Sequence, residues 1–265
     1  MKKKIAFFDI DGTLTSEIDG SIPESAVFAI RKSRENGNLM FINTGRCFQN
    51  VEDRFRAIGF DGYVCGCGTN IYCGGADVLY APCSHEVTMQ ILQIARKTDV
   101  DLLFESRREV CFDMTRPLKH PGAIRQYDAF ASRHYEMTQD FENPNFFCDK
   151  FVIWYSKPEQ LDAFRQVSDQ YFSCIDRGGT FREFVPIGYS KATGIEYVLN
   201  YYGLNRSDAY AFGDSNNDLP MLTYVENSVA MGNADPASLL VRVRYTTDNA
   251  SKDGLFHALH TLDFF

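Results

Sequence analysis

Short apolar runs of strand length alternate with helix-length segments in the first and last parts of the chain. The strand candidates are Ile5–Phe8, Leu39–Ile42, Tyr63–Cys65, Ala209–Phe212, Ser228–Met231 and Val241–Tyr245. Helices are predicted between them, from about Ile22 to Gly37, through Val51 and Phe55, and from Lys191 to Tyr202. Strands that alternate with helices at this spacing indicate crossover units and a parallel sheet.

The pattern changes between residues 83 and 185. Strand candidates lie close together there, at Leu102–Phe104, Val110–Phe112 and Phe151–Tyr155, with helix candidates at His85–Lys97 and Pro158–Gln170. This α+β pattern predicts a second domain that is inserted into the first. We therefore expect an α/β fold in which residues 1–82 and 186–265 form a Rossmann-like parallel-sheet core with helices on both faces, and residues 83–185 form an inserted α+β domain.

Three predicted strands end in polar residues of a particular kind. Asp9 and Asp11 follow the first strand, Asn43-Thr44-Gly45 follows the second, and Gly213-Asp214 follows Phe212. Side chains two residues apart on an extended segment point to the same side, so Asp9 and Asp11 are expected to converge. Ligands of open parallel sheets bind beyond the carboxyl ends of the strands, so all these residues are expected to share one crevice. A single Asp-x-Asp could also be a capped turn.

Several carboxylates in one crevice call for a cation. Asp9, Asp11, Asp214 and Asp218 supply oxygen ligands of the type that Mg²⁺ prefers, and a phosphate monoester supplies another. The Thr44 hydroxyl, the Gly45 N–H and the Lys191 ammonium suit phosphate oxygens. Phosphoryl transfer fits this set, with Asp9 as the nucleophile that forms an aspartyl-phosphate and Asp11 as the general acid and base.

These motifs resemble those of the haloacid dehalogenase-like (HAD) hydrolase superfamily, specifically its Cof-type phosphatases. The resemblance rests on four segments in the expected order: Asp9-Ile10-Asp11-Gly12-Thr13-Leu14, Asn43-Thr44-Gly45-Arg46, Lys191 and Gly213-Asp214-Ser215-Asn216-Asn217-Asp218. One segment departs from the family pattern, because Cys67-Gly68-Thr69-Asn70 stands where Asn-Gly-Ala is common. A substrate contact from the missing Asn is therefore in doubt.

The resemblance implies a role for each of these residues. Mg²⁺ would be held by the Asp9 carboxylate, the Asp11 backbone carbonyl and Asp214, with Asp218 nearby or in a second layer of contacts. Thr44, Lys191 and Asn217 would hold the phosphate, and the insertion would be a large α/β (C2-type) cap that selects the substrate. Two interpretations stay open for Asp218, which could instead cap the helix at Leu219-Pro220, and for Arg46, which could contact substrate or lie on the surface.

Composition narrows the class of protein further. The net charge of −8 argues against nucleic-acid and anionic-membrane partners, and no apolar stretch is long enough to span a membrane. The eight cysteines include no Cys-x-x-Cys pair, which predicts reduced thiols and a cytoplasmic location. Cys65, Cys67 and Cys73 could bind a soft metal, but ordinary buried thiols are the simpler interpretation.

A group of basic residues in the insertion has two interpretations. They could bind a substrate carboxylate or a second phosphate, or they could form a solvated charged face, which we favour. The residues are Arg107, Arg108, Arg116, Lys119, His120 and Arg125.

The function predicted from the sequence is Mg²⁺-dependent hydrolysis of a phosphomonoester. The substrate would be a small phosphorylated metabolite, such as a sugar phosphate or a phosphorylated cofactor. Two alternatives remain. A phosphomutase could use the same scaffold, and a non-catalytic regulatory protein could use Asp9 only as a phospho-acceptor. The presence of Asp11 and of a large insertion argues against the regulatory protein.

Overall fold

An eight-stranded sheet forms the centre of the first of two units into which the chain divides. The computed structural model describes residues 3–107, 109–135, 137, 140–141 and 143–265. The first unit comprises Met1–Arg46, Val51–Leu79 and Tyr189–Phe265, and the second comprises Cys47–Asn50 and Tyr80–Gly188. The second unit thus extends three residues beyond each end of the predicted 83–185 insertion and includes a short earlier segment.

Thirteen strands and eight α-helices are present in the described part of the chain. The strands are β1 (Ile5–Phe8), β2 (Leu39–Asn43), β3 (Gly62–Cys65), β4 (Asn70–Cys73), β5 (Ala76–Tyr80), β6 (Asp101–Glu105), β7 (Val110–Phe112), β8 (Lys150–Trp154), β9 (Phe172–Asp176), β10 (Phe181–Pro186), β11 (Ala209–Ser215), β12 (Asn227–Asp235) and β13 (Tyr245–Thr246). The helices are α1 (Glu24–Glu35), α2 (Asp53–Arg56), α3 (His85–Thr98), α4 (Pro121–Ser132), α5 (Pro158–Ser168), α6 (Lys191–Tyr202), α7 (Leu219–Tyr224) and α8 (Gly254–Thr261).

The sheet of the first unit is largely parallel. Its strand order is β13-β12-β11-β1-β2-β3-β4-β5, and every neighbouring pair from β13 to β3 runs parallel. Phe7 and Phe41 are fully buried and pack with Ile195 and Val198 of α6 and Met221 of α7. Strands of this kind are apolar along their whole length because both faces are covered. The predicted parallel-sheet core is confirmed.

The second unit contains a five-stranded sheet. Its order is β7-β6-β8-β10-β9, and neighbouring strands run antiparallel. Phe104, Phe151 and Phe184 are buried on one face with Phe164 of α5 and Leu92 of α3. The predicted α+β composition of this segment is therefore confirmed. Its assignment as a substrate-selecting cap stays a prediction.

Two parts of the fold differ from the sequence-based expectation. The prediction of a strand at Val241–Tyr245 is wrong, since Ala237–Val241 form a helical turn and only Tyr245–Thr246 pair with β12. Val241 is 86% exposed, so its side chain contributes nothing to the core. Helix α4 was not predicted because it buries only Ala123 and Phe130, which is too few to give a clear apolar stripe.

The basic residues of the insertion behave mainly as a charged surface. Arg116 and Lys119 both form ion pairs with Asp99, whose side chain is half exposed. Arg107 lies over the Tyr80 ring, 4.0 Å from its centroid. Arg108 lies outside the described residues. These contacts support the interpretation as a solvated charged face.

A buried carboxylate in the second unit makes stability depend on pH. Asp149 is 1% exposed, and burial raises the pKa of its carboxyl to about 7, although the Tyr80 hydroxyl and Arg107 lower it. The neutral form is thus favoured in the folded state, so this carboxyl's contribution to stability is complete below its unfolded pKa of about 4 and is lost as the pH rises through 7. The Asp149→Asn variant has no titrating carboxyl at this position, so it lacks this loss of stability.

We therefore expect the free energy of unfolding of the wild type to fall relative to that of Asp149→Asn between about pH 5 and pH 8. Chemical denaturation of both proteins at the two pH values measures this difference. Other titrating groups are common to both proteins and cancel. An unchanged difference between the two pH values would show that burial does not raise the pKa of Asp149.

Candidate active site

The carboxyl ends of β1, β2 and β11 lie side by side in the first unit. Phe8 is in register with both Ile42 and Phe212 across the parallel pairs. The N–H of Asp9 donates to the carbonyl of Phe212 at 3.1 Å, which extends the pairing by one residue. The polar residues that follow these three strands are therefore brought to one edge of the sheet, as expected for parallel neighbours.

A buried lysine links two of the carboxylates at this edge. Lys191 is the first residue of α6, and the Ser190 hydroxyl caps the helix by accepting the N–H of Thr193. Lys191 is 1% exposed, and its Nζ lies 2.5 Å from Asp9 Oδ1 and 2.6 Å from Asp218 Oδ1. An ammonium can be buried only when it is paired in this way, so the lysine and both aspartates form one electrostatic unit.

The loop after β3 supports the start of this helix. Gly68 has a φ of +97°, and a Cβ there would come within 2.6 Å of the Ser190 carbonyl oxygen. The backbone of the segment that departs from the family pattern is therefore packed directly against the residue before Lys191. In addition, the Asn43 side-chain amide donates to the Lys191 carbonyl at 3.0 Å. These contacts hold the first turn of α6 in place.

Asp218 organises the turn that follows β11. Its side chain is fully buried, and Oδ2 accepts the backbone N–H groups of Asp214 and Ser215, both at 3.0 Å. Oδ1 is the atom that pairs with Lys191. Because both oxygens already accept hydrogen bonds, Asp218 is better placed to position Asp214 and Lys191 than to bind a metal. These contacts support a second-layer role for Asp218, which stays a prediction.

Asp214 lies against the irregular helical turn formed by Ile10–Leu14. The Thr13 hydroxyl donates to Asp214 Oδ1 at 3.1 Å. One carboxylate oxygen each of Asp9, Asp214 and Asp218 can be chosen so that the three atoms lie within 4.8 Å of one another. We call these three residues the acidic cluster. When all three are ionised, they carry three negative charges against the one positive charge of Lys191, which leaves an excess of two.

The pKa values in the acidic cluster reflect this excess charge. Burial, followed by the charge of Asp218, raises the pKa of Asp9 to about 6, even though Lys191 lowers it. Burial and the charge of Asp9 raise the pKa of Asp214 to about 8. For Lys191, burial lowers the pKa, but Asp218 and Asp9 together raise it above its usual value. Carboxyl groups whose pKa is raised by burial and by one another indicate a place where a cation belongs.

The acidic cluster fits a hard divalent cation. All of its ligand atoms are carboxylate oxygens, and its excess charge of two matches that of Mg²⁺. Cys65, Cys67 and Cys73 form no comparable group in the part of the chain that the structure describes, and none of the eight cysteines forms a disulfide. The interpretation of these three cysteines as ordinary thiols is therefore supported.

Asp11 lies outside the acidic cluster. Its side chain is 64% exposed and pairs with Arg46, whose Nη2 is 2.5 Å from Asp11 Oδ1. Arg46 also contacts Glu52 at 3.1 Å. The expected convergence with Asp9 rested on strand geometry, but β1 ends at Phe8 and an irregular turn follows, in which Asp11 itself is non-helical. Strand alternation therefore does not continue through Asp11. Together with burial, the charge of Asp11 nevertheless contributes to raising the pKa of Asp9.

The other predicted phosphate ligands also lie at the ends of β2 and β11. Thr44 is 2% exposed, its N–H donates to the Val64 carbonyl at 2.8 Å, and its hydroxyl oxygen accepts the Arg46 N–H at 3.1 Å. Gly45 is half-buried. Asn217 is 9% exposed, and its side-chain oxygen accepts the Ser215 hydroxyl. Their role as phosphate ligands stays a prediction.

Two positioning residues were not predicted from the sequence. Thr13 holds Asp214, as described, and Asn233 donates to the Gly12 carbonyl at 2.8 Å. The Asn233 side-chain oxygen also accepts the N–H of Ala250 at 2.9 Å. The available signal was Gly232-Asn233 after the apolar run of β12, a fourth strand whose apolar residues give way to polar ones beside the other three.

Gly12 lies directly against the acidic cluster. Its φ is +79°, and a Cβ there would lie 2.3 Å from Asp214 Oδ2. Gly12→Ala is therefore expected to displace the Asp214 carboxylate and to lower kcat/KM by at least about 100-fold. Gly20→Ala is the matched control, because Gly20 has a similar φ of +69° but a Cβ at that position would have no atom within 4 Å.

Steady-state kinetics of both variants on the substrate of the wild type measure this effect. The Gly20 variant should keep its activity and lose only about 1 kcal/mol of stability from the backbone conformation. Equal activity losses in the two variants would show that strain in the backbone, and not the contact with Asp214, is responsible.

Comparison with known families agrees with the geometry. The sequence profile of the haloacid dehalogenase-like hydrolases matches residues 6–259. The chain belongs to this family. It is thus an enzyme of the phosphatase type within the HAD superfamily, and the resemblance seen in the sequence is confirmed.

Among the residues that the structure describes, none of the helices has both the length and the apolar character needed to cross a membrane.

Relatives of this HAD-like hydrolase match most of its length. The chain is 27% identical over 269 residues to the 5-amino-6-(5-phospho-D-ribitylamino)uracil phosphatase YitU of Bacillus subtilis, covering 96% of this chain and 95% of that protein. It is 24% identical over 239 residues to the HMP-PP phosphatase of Serratia proteamaculans, covering 88% and 85% respectively.

Solved structures show the same fold. A hypothetical protein of Geobacillus kaustophilus is 26% identical with a TM-score of 0.83, covering 99% of this chain and all of that one. A phosphatase of the haloalkanoate (HAD) superfamily from Bacteroides thetaiotaomicron is 24% identical with a TM-score of 0.84, covering 99% of this chain and 96% of that one. The second likeness concerns the fold alone.

Proposed function

We propose that this HAD-like hydrolase is a Mg²⁺-dependent phosphatase that cleaves phosphomonoesters through an aspartyl-phosphate. The observation that carries the proposal is the buried Lys191 bridging Asp9 and Asp218, beside an acidic cluster with two excess negative charges. With a divalent cation bound, such a site would position a dianionic phosphate and offset part of its charge, which is most of what phosphoryl transfer requires.

Asp9 is the proposed nucleophile. Lys191 engages its Oδ1, which fixes the orientation of the carboxylate and leaves Oδ2 for attack on phosphorus. The resulting acyl-phosphate is hydrolysed by water. Because Lys191 is held by a second carboxylate, Asp218, its ammonium stays in place while the charge on Asp9 changes. A fixed charge of this kind stabilises the transition state without reorganisation.

Asp11 is the proposed general acid and base. It would protonate the leaving alkoxide and then take a proton from the attacking water. Its exposed carboxylate is within reach of solvent and is oriented by Arg46, which is itself anchored on Glu52. This contact supports a positioning role for Arg46. It favours the interpretation that Arg46 belongs to the site over the interpretation that it is an ordinary surface residue.

Asp9 and Asp214 would hold the metal ion, together with the backbone carbonyl of Asp11. Asp218 would keep Asp214 in position through the two backbone N–H groups it binds. When bound, Mg²⁺ offsets the negative charge between the nucleophile and the phosphate. Thr44, Gly45, Lys191 and Asn217 are the proposed phosphate-binding residues.

Small phosphorylated metabolites are the proposed substrates. Two relatives carry names that specify a phosphorylated ribityl-aminouracil and HMP-PP, and both are small phosphorylated compounds. The second unit, Tyr80–Gly188, is proposed to act as the substrate-selecting cap. The eight cysteines form no disulfide, which supports a reducing, cytoplasmic environment. The negative net charge of −8 supports the absence of nucleic-acid partners.

The test is phosphate release from a panel of sugar phosphates, nucleotide monophosphates and the two compounds named for the relatives, with Mg²⁺ and with EDTA. We expect release in Mg²⁺ only. Asp214→Asn should raise the Mg²⁺ concentration for half-maximal activity at least about tenfold, because it removes one ligand charge. Asp53→Asn is the control, since that side chain is 97% exposed.

Other outcomes would point to the alternatives. Transfer of phosphate between positions of one substrate, without release, would indicate a mutase. Labelling of Asp9 by acetyl phosphate with no release from any compound would indicate a phospho-accepting regulatory protein. Full activity in EDTA after prolonged dialysis would remove Mg²⁺ from the proposal.

A further inference from the structure

Helix α1 carries an exposed aromatic patch on the surface of the first unit. Phe28 is 55% exposed, and its ring lies 6.3 Å from that of Phe256 and 6.0 Å from that of Phe265. Phe256 also stacks on His260 of α8. Single exposed apolar residues are common, but a group of rings around one exposed Phe is typical of an interaction surface.

An open groove of about 530 Å³ runs along the same helix. Charged side chains flank Phe28 on both sides along the helix, acidic towards the start and basic and then acidic towards the end. The lining residues are Glu24, Val27, Phe28, Arg31, Lys32 and Glu35. An apolar centre with a charged rim is the composition of protein–protein interfaces.

The order of these charges is self-complementary about Phe28. Glu24 and Lys32 are each four residues from Phe28 in opposite directions, and residues four apart lie on the same face of a helix. If a second copy of the helix packs antiparallel with Phe28 on a two-fold axis, Glu24 of each copy lies opposite Lys32 of the other. An isologous interface of this kind uses one surface patch twice.

The charges also disfavour an antiparallel packing in which the two copies of the helix are shifted along each other. Moving the axis to a point between Phe28 and Arg31 would place Glu24 opposite Glu35 of the second copy. Like charges in contact oppose association. Lys32 pairs with Glu35 of its own helix at 2.9 Å, but both side chains are largely exposed, and such ion pairs are weak enough to exchange partners.

We infer that this face of α1 is a two-fold symmetric dimer interface between two copies of the chain. The two Phe28 rings form its centre, with Phe256 and Phe265 beside them, and two Glu24–Lys32 pairs form its rim. None of these residues belongs to the acidic cluster or to the proposed phosphate site. The inference is therefore independent of the proposed function.

The first experiment is light scattering and sedimentation of the full chain between about 1 and 100 µM. We expect a mass that approaches twice the 30.2 kDa of one chain as the concentration rises. Phe28→Asp should remain at the mass of one chain with an unchanged thermal unfolding profile at low concentration. A monomeric wild type, or a dimeric Phe28→Asp, would overturn the inference and indicate that another partner covers the patch.

The second experiment exchanges the rim charges. Glu24→Lys and Lys32→Glu each place like charges at both rim contacts, so each should raise the dissociation constant of its homodimer at least about tenfold. An equimolar mixture of the two variants restores opposite charges at both contacts, and so does the double variant. Both should therefore dimerise as the wild type does.

This rescue is specific to the antiparallel register centred on Phe28. Arg31→Glu and Glu35→Lys serve as controls, because these residues do not face each other or the exchanged positions across the proposed axis. Failure of the mixture to dimerise more tightly than either single variant would overturn the proposed geometry even if the wild type is a dimer.

Discussion

Replacing Asp9 with Asn is expected to lower kcat by at least about 10⁴-fold while leaving the protein folded, because the nucleophile of a covalent mechanism has no substitute. Asparagine has the same size as Asp and can still accept a hydrogen bond from Lys191. Lys191 keeps its second partner, Asp218, at 2.6 Å. The loss should therefore lie in the chemical step and not in the integrity of the site.

The same substitution is expected to make the metal-free protein no less stable than the wild type. Burial and the neighbouring carboxylates already raise the pKa of Asp9 to about 6. At neutral pH, keeping this carboxyl ionised therefore costs the folded state more than the unfolded state. Denaturation in EDTA at neutral pH measures this. A stable but inactive variant, next to an active Asp53→Asn control, would support the assignment. Retention of more than a tenth of the wild-type kcat would refute Asp9 as nucleophile.

Replacing Lys191 with Met is expected to remove activity and also to destabilise the fold. The methionine fills the space of the lysine stem, but Asp9 and Asp218 lose their common counter-charge inside the protein. Breaking one side of a buried ion pair costs about 3–5 kcal/mol. Loss of a fixed charge at the reacting phosphate should lower kcat by at least about 10³-fold. Urea denaturation and steady-state kinetics measure the two effects.

The destabilisation of Lys191→Met should depend on pH. Without the lysine, the pKa of Asp9 rises further, so the penalty is small at low pH, where this carboxyl is protonated, and grows as the pH rises. Lys97→Met is the control, because Lys97 is an exposed lysine on a helix. Lys191→Arg keeps the charge but not the compact ammonium geometry, and should fold better than Lys191→Met while remaining impaired. Wild-type stability at all pH values would contradict the electrostatic role of Lys191.

Much of the fold follows from local patterns. Runs such as Ile5–Phe8 and Ala209–Phe212 are strand-length and fully apolar, which is the signature of buried parallel strands, and the structure confirms both. Helix α6 was predicted over Lys191–Tyr202 and has those bounds, with Gly203 in the left-handed conformation that ends helices. Elements with weaker patterns, such as α4, were missed because few of their side chains are buried.

The residues of the candidate site also divide into those predicted from local motifs and those that only the fold brings into place. Asp9, Thr44 and Asp214 were predicted from their positions at strand ends, and the structure brings these strand ends together. The pairing of Asp11 with Arg46 was not predicted, since it depends on a helical turn that begins immediately after β1. Asn233 was overlooked because its hydrogen bonds join segments that are distant in sequence.

The sequence by itself determined the alternation of strands and helices in the parallel-sheet core, the family and the residue types at the strand ends. These features depend on short-range periodicity and on motifs of a few neighbouring residues. Only the tertiary structure decided which oxygen of each carboxylate is engaged, and by which group. Lys191 meets Asp9 across 182 residues and Asp218 across 27, and contacts at such separations are set by how the sheet and α6 pack, not by any local pattern.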